Sequence, residues 1–172
     1  MDENERRQLF DQWMTDHVGL LFKVVRSFAE SVQDREDLFQ QIAIQLWTSL
    51  STYNGSVAAT TWIYRVAFYT AHGWRRKENV RTTKTNLLGE RDASVVRESE
   101  PVDGRLLDLL DHIRELEEID RSIALMLLDG LSYREMSELL GISESNVGVR
   151  IHRIKKRLVA SLNANPEAVN EF

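Results

Sequence analysis

The chain has no cysteine, only two prolines and four histidines, and it has no long uninterrupted run of apolar residues. Without cysteine, a disulfide framework and a thiolate metal site are both excluded. Without about 18 consecutive apolar residues, no transmembrane helix is expected. The histidines have no spacing typical of a metal site, and the opening MDENERRQLF lacks the apolar core of a signal peptide. These absences predict a soluble cytoplasmic protein with no metal and no other cofactor.

The sequence also lacks any β-type alternation of apolar and polar residues over a useful length, which predicts an all-α fold. Two regions with helical periodicity flank a polar stretch with few large apolar residues, Glu78–Arg105. Such a stretch is typical of a flexible linker. The predicted organisation is a first helical domain at 1–78, a linker at 79–105, a second helical domain at 106–162 and a polar tail at 163–172.

The net charge of −5 is divided unevenly along the chain. Residues 62–91 carry a net charge of +5 and residues 145–172 carry +3, whereas residues 1–61 and 92–144 carry −4 and −9. Two basic blocks within acidic surroundings indicate anionic partners better than the total charge does. On this pattern alone, solvated charged faces remain an alternative.

Three main helices are predicted in the first domain: Phe10–Ala29, Asp34–Leu50 and Thr61–Lys77. The second of these is predicted to turn one apolar face inward, with Leu38, Phe39, Ile42, Ala43, Leu46, Trp47 and Leu50. Its opposite polar face includes Ile44, which suggests a surface for a partner protein. The third is predicted to turn Ile63, Val66, Ala67, Thr70 and Trp74 inward. Its outward face then carries Arg65, Phe68, Tyr69, His72, Arg75 and Arg76. Exposed aromatic rings between arginines are typical of a platform for single-stranded nucleic acid, and packing of the rings on a neighbouring element is the alternative.

The stretch Leu131–Leu158 carries the signals of a helix-turn-helix. Ser132 and Glu135 fit a capping box, Gly141 can end the first helix in a left-handed conformation, and Ser143 can cap the second. In the second helix Val147, Ile151, Ile154 and Leu158 are predicted to face inward. The outer face and its flanks carry Ser145, Asn146, Val149, Arg150, His152, Arg153 and Lys156. An ordinary helical hairpin is the alternative.

Three segments resemble conserved regions of bacterial RNA polymerase sigma factors. DREDLFQQIAIQLW resembles region 2.2, ATTWIYRVAFYTAHGWRRK resembles regions 2.3 and 2.4, and DGLSYREMSELLGISESNVGVRIHRIKKRL resembles region 4.2. Two such domains joined by a linker are the layout of the extracytoplasmic-function (ECF) group. The resemblance implies a subunit that binds core RNA polymerase and directs promoter recognition, DNA melting and initiation. It implies no enzyme activity and no catalytic residue.

The resemblance also implies three sets of contact residues. The clamp coiled coil of the polymerase would bind Asp34, Glu36, Asp37, Gln40, Gln41 and Ile44. The melted minus-ten element would be held by residues of the third helix and of the loop before it: Asn54, Arg65, Phe68, Tyr69, His72, Arg75 and Arg76. The minus-thirty-five element would be read in its major groove by Ser143, Ser145, Asn146, Val149, Arg150, His152, Arg153 and Lys156. The second domain would also contact the polymerase flap, and an anti-sigma factor is expected as a regulator.

The sequence departs from the family pattern at several of these places. Relatives often have an acid in place of Gln41, asparagine in place of Tyr69, and lysine and serine in place of Gly148 and Val149. Val149 cannot donate a hydrogen bond but can pack on a thymine methyl group, so an altered minus-thirty-five preference is expected.

Two other classes of protein remain open on the residues themselves. A polymerase-independent helix-turn-helix regulator would explain the second domain equally well, but not the aromatic and basic face of the third helix. A nuclease is the other, although no cluster of carboxylates near the basic blocks supports it.

Overall fold

The computed structural model describes residues 2–85 and 103–164, and within these two ranges the regular structure is entirely helical. The predicted all-α fold is therefore confirmed. The described residues divide into two compact units, 2–85 and 103–164. No helix in the described ranges is long and apolar enough to cross a membrane.

The first unit contains helices α1 (Glu3–Asp16), α2 (Val18–Phe28), α3 (Val32–Ser49) and α4 (Ala59–Thr85), with a 3₁₀ turn at Leu50–Thr52. Asp2 begins α1 with a capping box, because its side chain accepts from the backbone N–H of Glu5 while the Glu5 carboxylate accepts from that of Asp2. Ser31 begins α3 by accepting from the backbone N–H of Asp34 at 3.1 Å. The linker predicted at 79–105 is too long at both ends, because residues 79–85 continue α4 and Gly104 and Arg105 begin the next helix. Of the predicted tail at 163–172, the first two residues continue the last helix of the chain, and residues 165–172 lie outside the described residues, as do residues 86–102.

The predicted single helix Phe10–Ala29 is wrong, because the chain breaks at His17. His17 has φ −114° and ψ 16°, which are not helical values. Its N–H donates to the Trp13 carbonyl at 3.0 Å and closes α1, while its own carbonyl accepts from Leu21 N–H at 3.1 Å and opens α2. Trp13 and Leu21 are both buried and lie eight residues apart, close to two helical turns. The apolar spacing therefore runs through the break without a visible change of phase.

The core of the first unit forms where α4 packs against α2 and α3. Leu38, Ile42, Leu46 and Leu50 are buried along α3 and the turn after it, as predicted. On α4 the buried set differs from the predicted inward face by about one position around the helix. It consists of Thr61, Ile63, Tyr64, Ala67, Phe68 and Ala71.

The second unit contains α5 (Gly104–Arg114), α6 (Glu118–Leu128), α7 (Tyr133–Leu140) and α8 (Glu144–Ala164). Helix α8 packs against all three of the others. A buried guanidinium forms the corner between α5 and α6: Arg121 donates from Nη2 to the carbonyls of Arg114 and Leu116, the latter at 2.9 Å. These carbonyls belong to the last turn of α5 and the residues after it, where the helix itself supplies no N–H partner.

Candidate nucleic-acid interfaces

Helices α7 and α8 form the predicted helix-turn-helix, and each of its local signals is present. Ser132 Oγ accepts from Glu135 N–H at 3.2 Å, while the Glu135 carboxylate accepts from Ser132 N–H at 2.8 Å. Gly141 ends α7 with φ +67°, and its N–H donates to the Ser137 carbonyl at 2.9 Å. Ser143 then begins α8 by accepting from Asn146 N–H at 3.2 Å. These bonds fix where α8 begins and hence which of its side chains face outward.

Hydrogen bonds at α7 also shift two pKa values. The hydroxyl and backbone N–H of Ser132 donate to the Glu135 carboxylate and hold its pKa below the ordinary value of 4.5. On the exposed side of α7, the 3.0 Å bond from Arg134 to the Glu138 carboxylate raises the pKa of the guanidinium.

Helix α8 has an apolar inner face and a polar outer face. Val147, Ile151 and Ile154 are buried and Leu158 is half-buried. Of the predicted DNA contacts, the structure exposes Ser143, Ser145, Asn146, Val149, His152, Arg153 and Lys156. Two further exposed cations, Lys155 and Arg157, were not among the predicted contacts, and Arg157 donates to the Glu115 carbonyl at 3.3 Å. The outer face therefore offers cations for phosphates together with short polar and apolar groups near the beginning of the helix.

Arg150 is placed differently from the other cations of α8, because it is bound to α6. Its Nη1 lies 2.6 Å from Asp120 Oδ1, and the two side chains are only 26% and 15% exposed. Its Nε donates to Asn146 Oδ1 at 2.9 Å. Asp120 was missed in the sequence, because it lies 30 residues from Arg150 and no local signal connects them.

Gly148 lies beside an aromatic ring of α7. A Cβ atom at this position would stand 3.5 Å from Cε2 of Tyr133, an ordinary van der Waals contact. Tyr133 is partly exposed at the first position of α7. Val149, predicted on the outer face, is 59% exposed, and the Tyr133 ring is a further exposed apolar group of the helix-turn-helix.

The outward face of α4 carries fewer rings than predicted. Tyr69 is 85% exposed, and Arg65 and Arg76 are exposed, while His72 and Arg75 are half-buried. The prediction that Phe68 faces outward is wrong, since its side chain is only 3% exposed. Phe68 stacks on Tyr64 at 4.9 Å between ring centroids and lies 6.1 Å from Phe28 of α2. Burial of Tyr64 in the same cluster raises the pKa of its phenol.

The loop before α4 is ordered by an aromatic cluster that the sequence did not reveal. The Tyr53 ring lies 4.9 Å from that of Trp13 and 5.4 Å from that of Trp62. The Tyr53 hydroxyl donates to the Val57 carbonyl at 3.0 Å. Between them, Asn54 accepts from Ser56 N–H at 3.0 Å and Gly55 has φ +75°. Asn54 is exposed. It lies in a loop that the Tyr53–Val57 hydrogen bond closes.

The face of α3 opposite the core is polar with one large apolar side chain. Glu36, Gln40 and Gln41 are exposed and Ile44 is 60% exposed. Asp34 and Asp37 are half-buried, and Asp34 accepts from the Ser31 hydroxyl at 2.6 Å. An exposed isoleucine, with two glutamines beside it and acids towards the beginning of the helix, is suited to contact with another protein.

Helical units that present a capped helix-turn-helix with a basic outer face define a DNA-binding protein of the helix-turn-helix class. The models of two conserved domains match the chain: Sigma-70 region 2 at residues 13–81 and Sigma-70, region 4 at residues 106–158. The chain belongs to the sigma-70 family of RNA polymerase sigma factors, in its ECF group.

Individual relatives agree with this assignment. The chain is 28% identical over 155 residues to the ECF RNA polymerase sigma factor SigX of Bacillus subtilis, an alignment that covers 84% of this chain and 77% of the relative. It is 26% identical over 170 residues to the ECF RNA polymerase sigma-E factor of Haemophilus influenzae, with 91% and 87% covered.

Two solved structures have the same fold. One is the sigma factor RpoE of Bartonella quintana in complex with the anti-sigma factor NepR, with a TM-score of 0.70, 17% identity, and 90% of this chain and 96% of that chain covered. The other is CnrH in complex with the cytosolic domain of CnrY, with a TM-score of 0.65, 22% identity, and coverage of 92% and 90%.

Proposed function

We propose that this chain is a promoter-specificity subunit that binds core RNA polymerase, recognises promoter DNA with both units, and performs no chemistry of its own. The observation that carries the proposal is the combination, in one chain, of an exposed aromatic and basic face on α4 with a fully capped helix-turn-helix. A regulator that acts without polymerase would use the helix-turn-helix but would have no use for the aromatic and basic face of α4.

The surface proposed to bind the polymerase clamp is the outer face of α3. Ile44 lies at its centre, with Gln40 and Gln41 one turn before it and Glu36 near the beginning of the helix. Burial of the Ile44 side chain against a partner would contribute up to about 1.5–3 kcal/mol. Asp34 and Asp37 are half-buried and would lie at the edge of this contact. Contact of the second unit with the polymerase flap is part of the same proposal.

The proposed single-strand surface is formed by Tyr69 with its neighbouring cations and by Asn54 in the loop before α4. An unstacked base can lie on the exposed Tyr69 ring, which provides about 1–3 kcal/mol, while Arg65, Arg75 and Arg76 attract the phosphates. This interaction would offset part of the cost of unpairing the minus-ten element. His72 lies edge-on to Phe28 at 5.2 Å, and Phe68 is excluded because it belongs to the core.

The proposed duplex surface is the outer face of α8. Its N-terminal residues, Ser145, Asn146 and Val149, are placed to approach base edges in the major groove, as in other helix-turn-helix proteins. The cations Arg153 and Lys156, with His152, lie further along the helix and are suited to phosphate contacts.

Regulation by an anti-sigma factor is proposed on the likeness to the sigma factor RpoE of Bartonella quintana, whose solved structure contains the anti-sigma factor NepR. A cytoplasmic location follows from the proposed function, since the polymerase and the promoter are there.

Run-off transcription with purified core polymerase on a panel of genomic promoter fragments tests the proposal. The chain is expected to add promoter-directed transcripts and to co-purify with the core enzyme. An Ile44→Glu variant should lose both properties. The matched control is Val18→Glu, because Val18 is 54% exposed on α2 and is also aliphatic. If the wild-type chain neither adds transcripts nor co-purifies with core polymerase, a polymerase-independent regulator is the better explanation.

A further inference from the structure

Three side chains of the second unit form a hydrogen-bonded chain from α6 to the outer face of α8. Asp120 on α6 binds Nη1 of Arg150 at 2.6 Å, and Nε of Arg150 donates to Asn146 Oδ1 at 2.9 Å. Asp120 and Arg150 are largely covered, whereas Asn146 is exposed. The ion pair thus fixes the position of the guanidinium, and the guanidinium in turn contacts the exposed amide.

This arrangement determines which way the Asn146 amide points. A guanidinium has donors and no acceptor, so the amide atom that faces Arg150 must be the oxygen. The NH₂ group of the amide then lies on the opposite side of the amide carbon and remains available to a ligand. Asn146 can therefore present hydrogen-bond donors outward, while its oxygen is bound to a cation through one of its two lone pairs.

The position of Asn146 on α8 brings this amide to the part of the helix that reads bases. It is the third residue of the helix, one turn after the cap residue Ser143, to which its backbone N–H donates. Recognition helices of this class contact base edges with their N-terminal residues.

We propose that Asn146 reads one base of the minus-thirty-five element through its amide donors, with Asp120 and Arg150 as positioning residues. The inference rests on the proposed function. An asparagine with both amide groups free forms a bidentate contact with adenine, accepting from N6 and donating to N7. Here a guanidinium already binds the amide oxygen, and its positive charge beside the second lone pair disfavours the approach of the N6 donor of adenine. Adenine therefore loses its advantage over guanine, which offers N7 and O6. Thymine offers O4, whereas cytosine presents only a donor, N4–H₂, and is the base that is rejected.

The experiment measures relative binding of holoenzyme, assembled from the full chain and core polymerase, to a promoter library with all four bases at each minus-thirty-five position. For the wild type we expect one position at which adenine, guanine and thymine are accepted and cytosine is disfavoured by roughly five- to a hundredfold. Asn146→Asp retains the acceptor for Arg150 and has the same shape, but it has no donor when ionised. Because a carboxylate accepts from cytosine N4, this variant should reverse the preference at that position in favour of cytosine.

A second variant tests the positioning role. Arg150→Leu releases the Asn146 oxygen, so adenine should become preferred over guanine at the same position while cytosine stays disfavoured. A purely structural role of Arg150 would lower binding to all sequences equally and leave the base preference unchanged. The matched control is Arg153→Ala, which removes an exposed cation from the same helix and should weaken binding by a similar factor on every sequence.

Two results would overturn the inference. If Asn146→Asp leaves the relative preference for the four bases unchanged at every position, Asn146 does not read a base. If it lowers binding equally on all sequences, its donors contact a phosphate. The run-off assay with the wild-type chain distinguishes these failures from failure of the proposed function. If the wild-type chain adds transcripts, only the inference about Asn146 is refuted. If it adds none, the proposed function is refuted as well.

Discussion

Two glycines of the helix-turn-helix should respond in opposite directions to the same substitution by alanine. Gly141 ends α7 with φ +67°, a left-handed conformation, whereas Gly148 lies within α8. A Cβ atom at Gly141 would meet nothing within 4 Å, so the cost of Gly141→Ala is that of the backbone alone. A non-glycine residue in this conformation costs about 1–2 kcal/mol.

At Gly148 a Cβ atom would make an ordinary contact with the Tyr133 ring at 3.5 Å, and no strain is expected. Alanine is favoured over glycine within a helix by up to about 1 kcal/mol. Gly148→Ala should therefore stabilise the second unit, and Gly141→Ala should destabilise it. The two variants are expected to differ by about 2 kcal/mol, which corresponds to roughly a thirtyfold difference in the unfolding equilibrium.

Urea unfolding of the full chain can assign these changes to one unit, because all four tryptophans lie in the first unit, between residues 13 and 74. Tryptophan fluorescence reports on the first unit, and far-UV circular dichroism reports on both. The circular dichroism transition should move to lower urea in Gly141→Ala and to higher urea in Gly148→Ala, with the fluorescence midpoint unchanged. Shifts of the same sign in the two variants would refute the reasoning.

Three further changes have distinct expected outcomes. Tyr69→Ala should reduce permanganate reactivity of the minus-ten element by about five- to a hundredfold, because a stacking surface is lost. The control is Tyr69→Phe, which retains the ring. Wild-type reactivity in the alanine variant would count against the proposed surface. Tyr53→Phe removes the hydrogen bond to the Val57 carbonyl and should lower the stability of the first unit by about 1 kcal/mol, and a tryptophan-fluorescence midpoint equal to that of the wild type would contradict the hydrogen bond's role. The Ser132 donors that lower the pKa of Glu135 contribute stability above about pH 4.5, which is lost as the pH falls through the lower pKa of the folded state. Glu135→Gln should therefore flatten the acid side of the circular dichroism stability profile, and an equally steep decline in the variant would exclude Glu135 as its source.

The helix-turn-helix could be predicted from the sequence because each of its signals is local. Ser132, Glu135 and Gly141 act on backbone groups within a few residues of themselves, and α8 has an inward stripe with regular spacing. The inward residues of α3 were predicted correctly for the same reason. Only one face of this helix is strongly apolar, so the period also indicates which side is buried.

The face of α4 was misjudged because apolar and aromatic residues occur on most of its sides. Periodicity fixes the angles between side chains but not which side meets the core. In the structure α4 packs against both α2 and α3, which covers a wide part of its surface and takes in Tyr64 and Phe68. The ion pair of Arg150 could not be predicted for a different reason. Its partner Asp120 is on another helix, and only the fold brings the two side chains together.

The corner between α5 and α6 has a consequence for which amino-acid substitutions the sequence can accept. Arg121 binds main-chain carbonyls of Arg114 and Leu116, groups that every amino acid carries. The side chain of Arg114, which is not buried, can therefore be exchanged without loss of these two bonds. Substitution of Arg121 itself would leave those carbonyls without these donors. A residue that binds main-chain groups in this way constrains its own position more than it constrains the identity of Arg114 and Leu116.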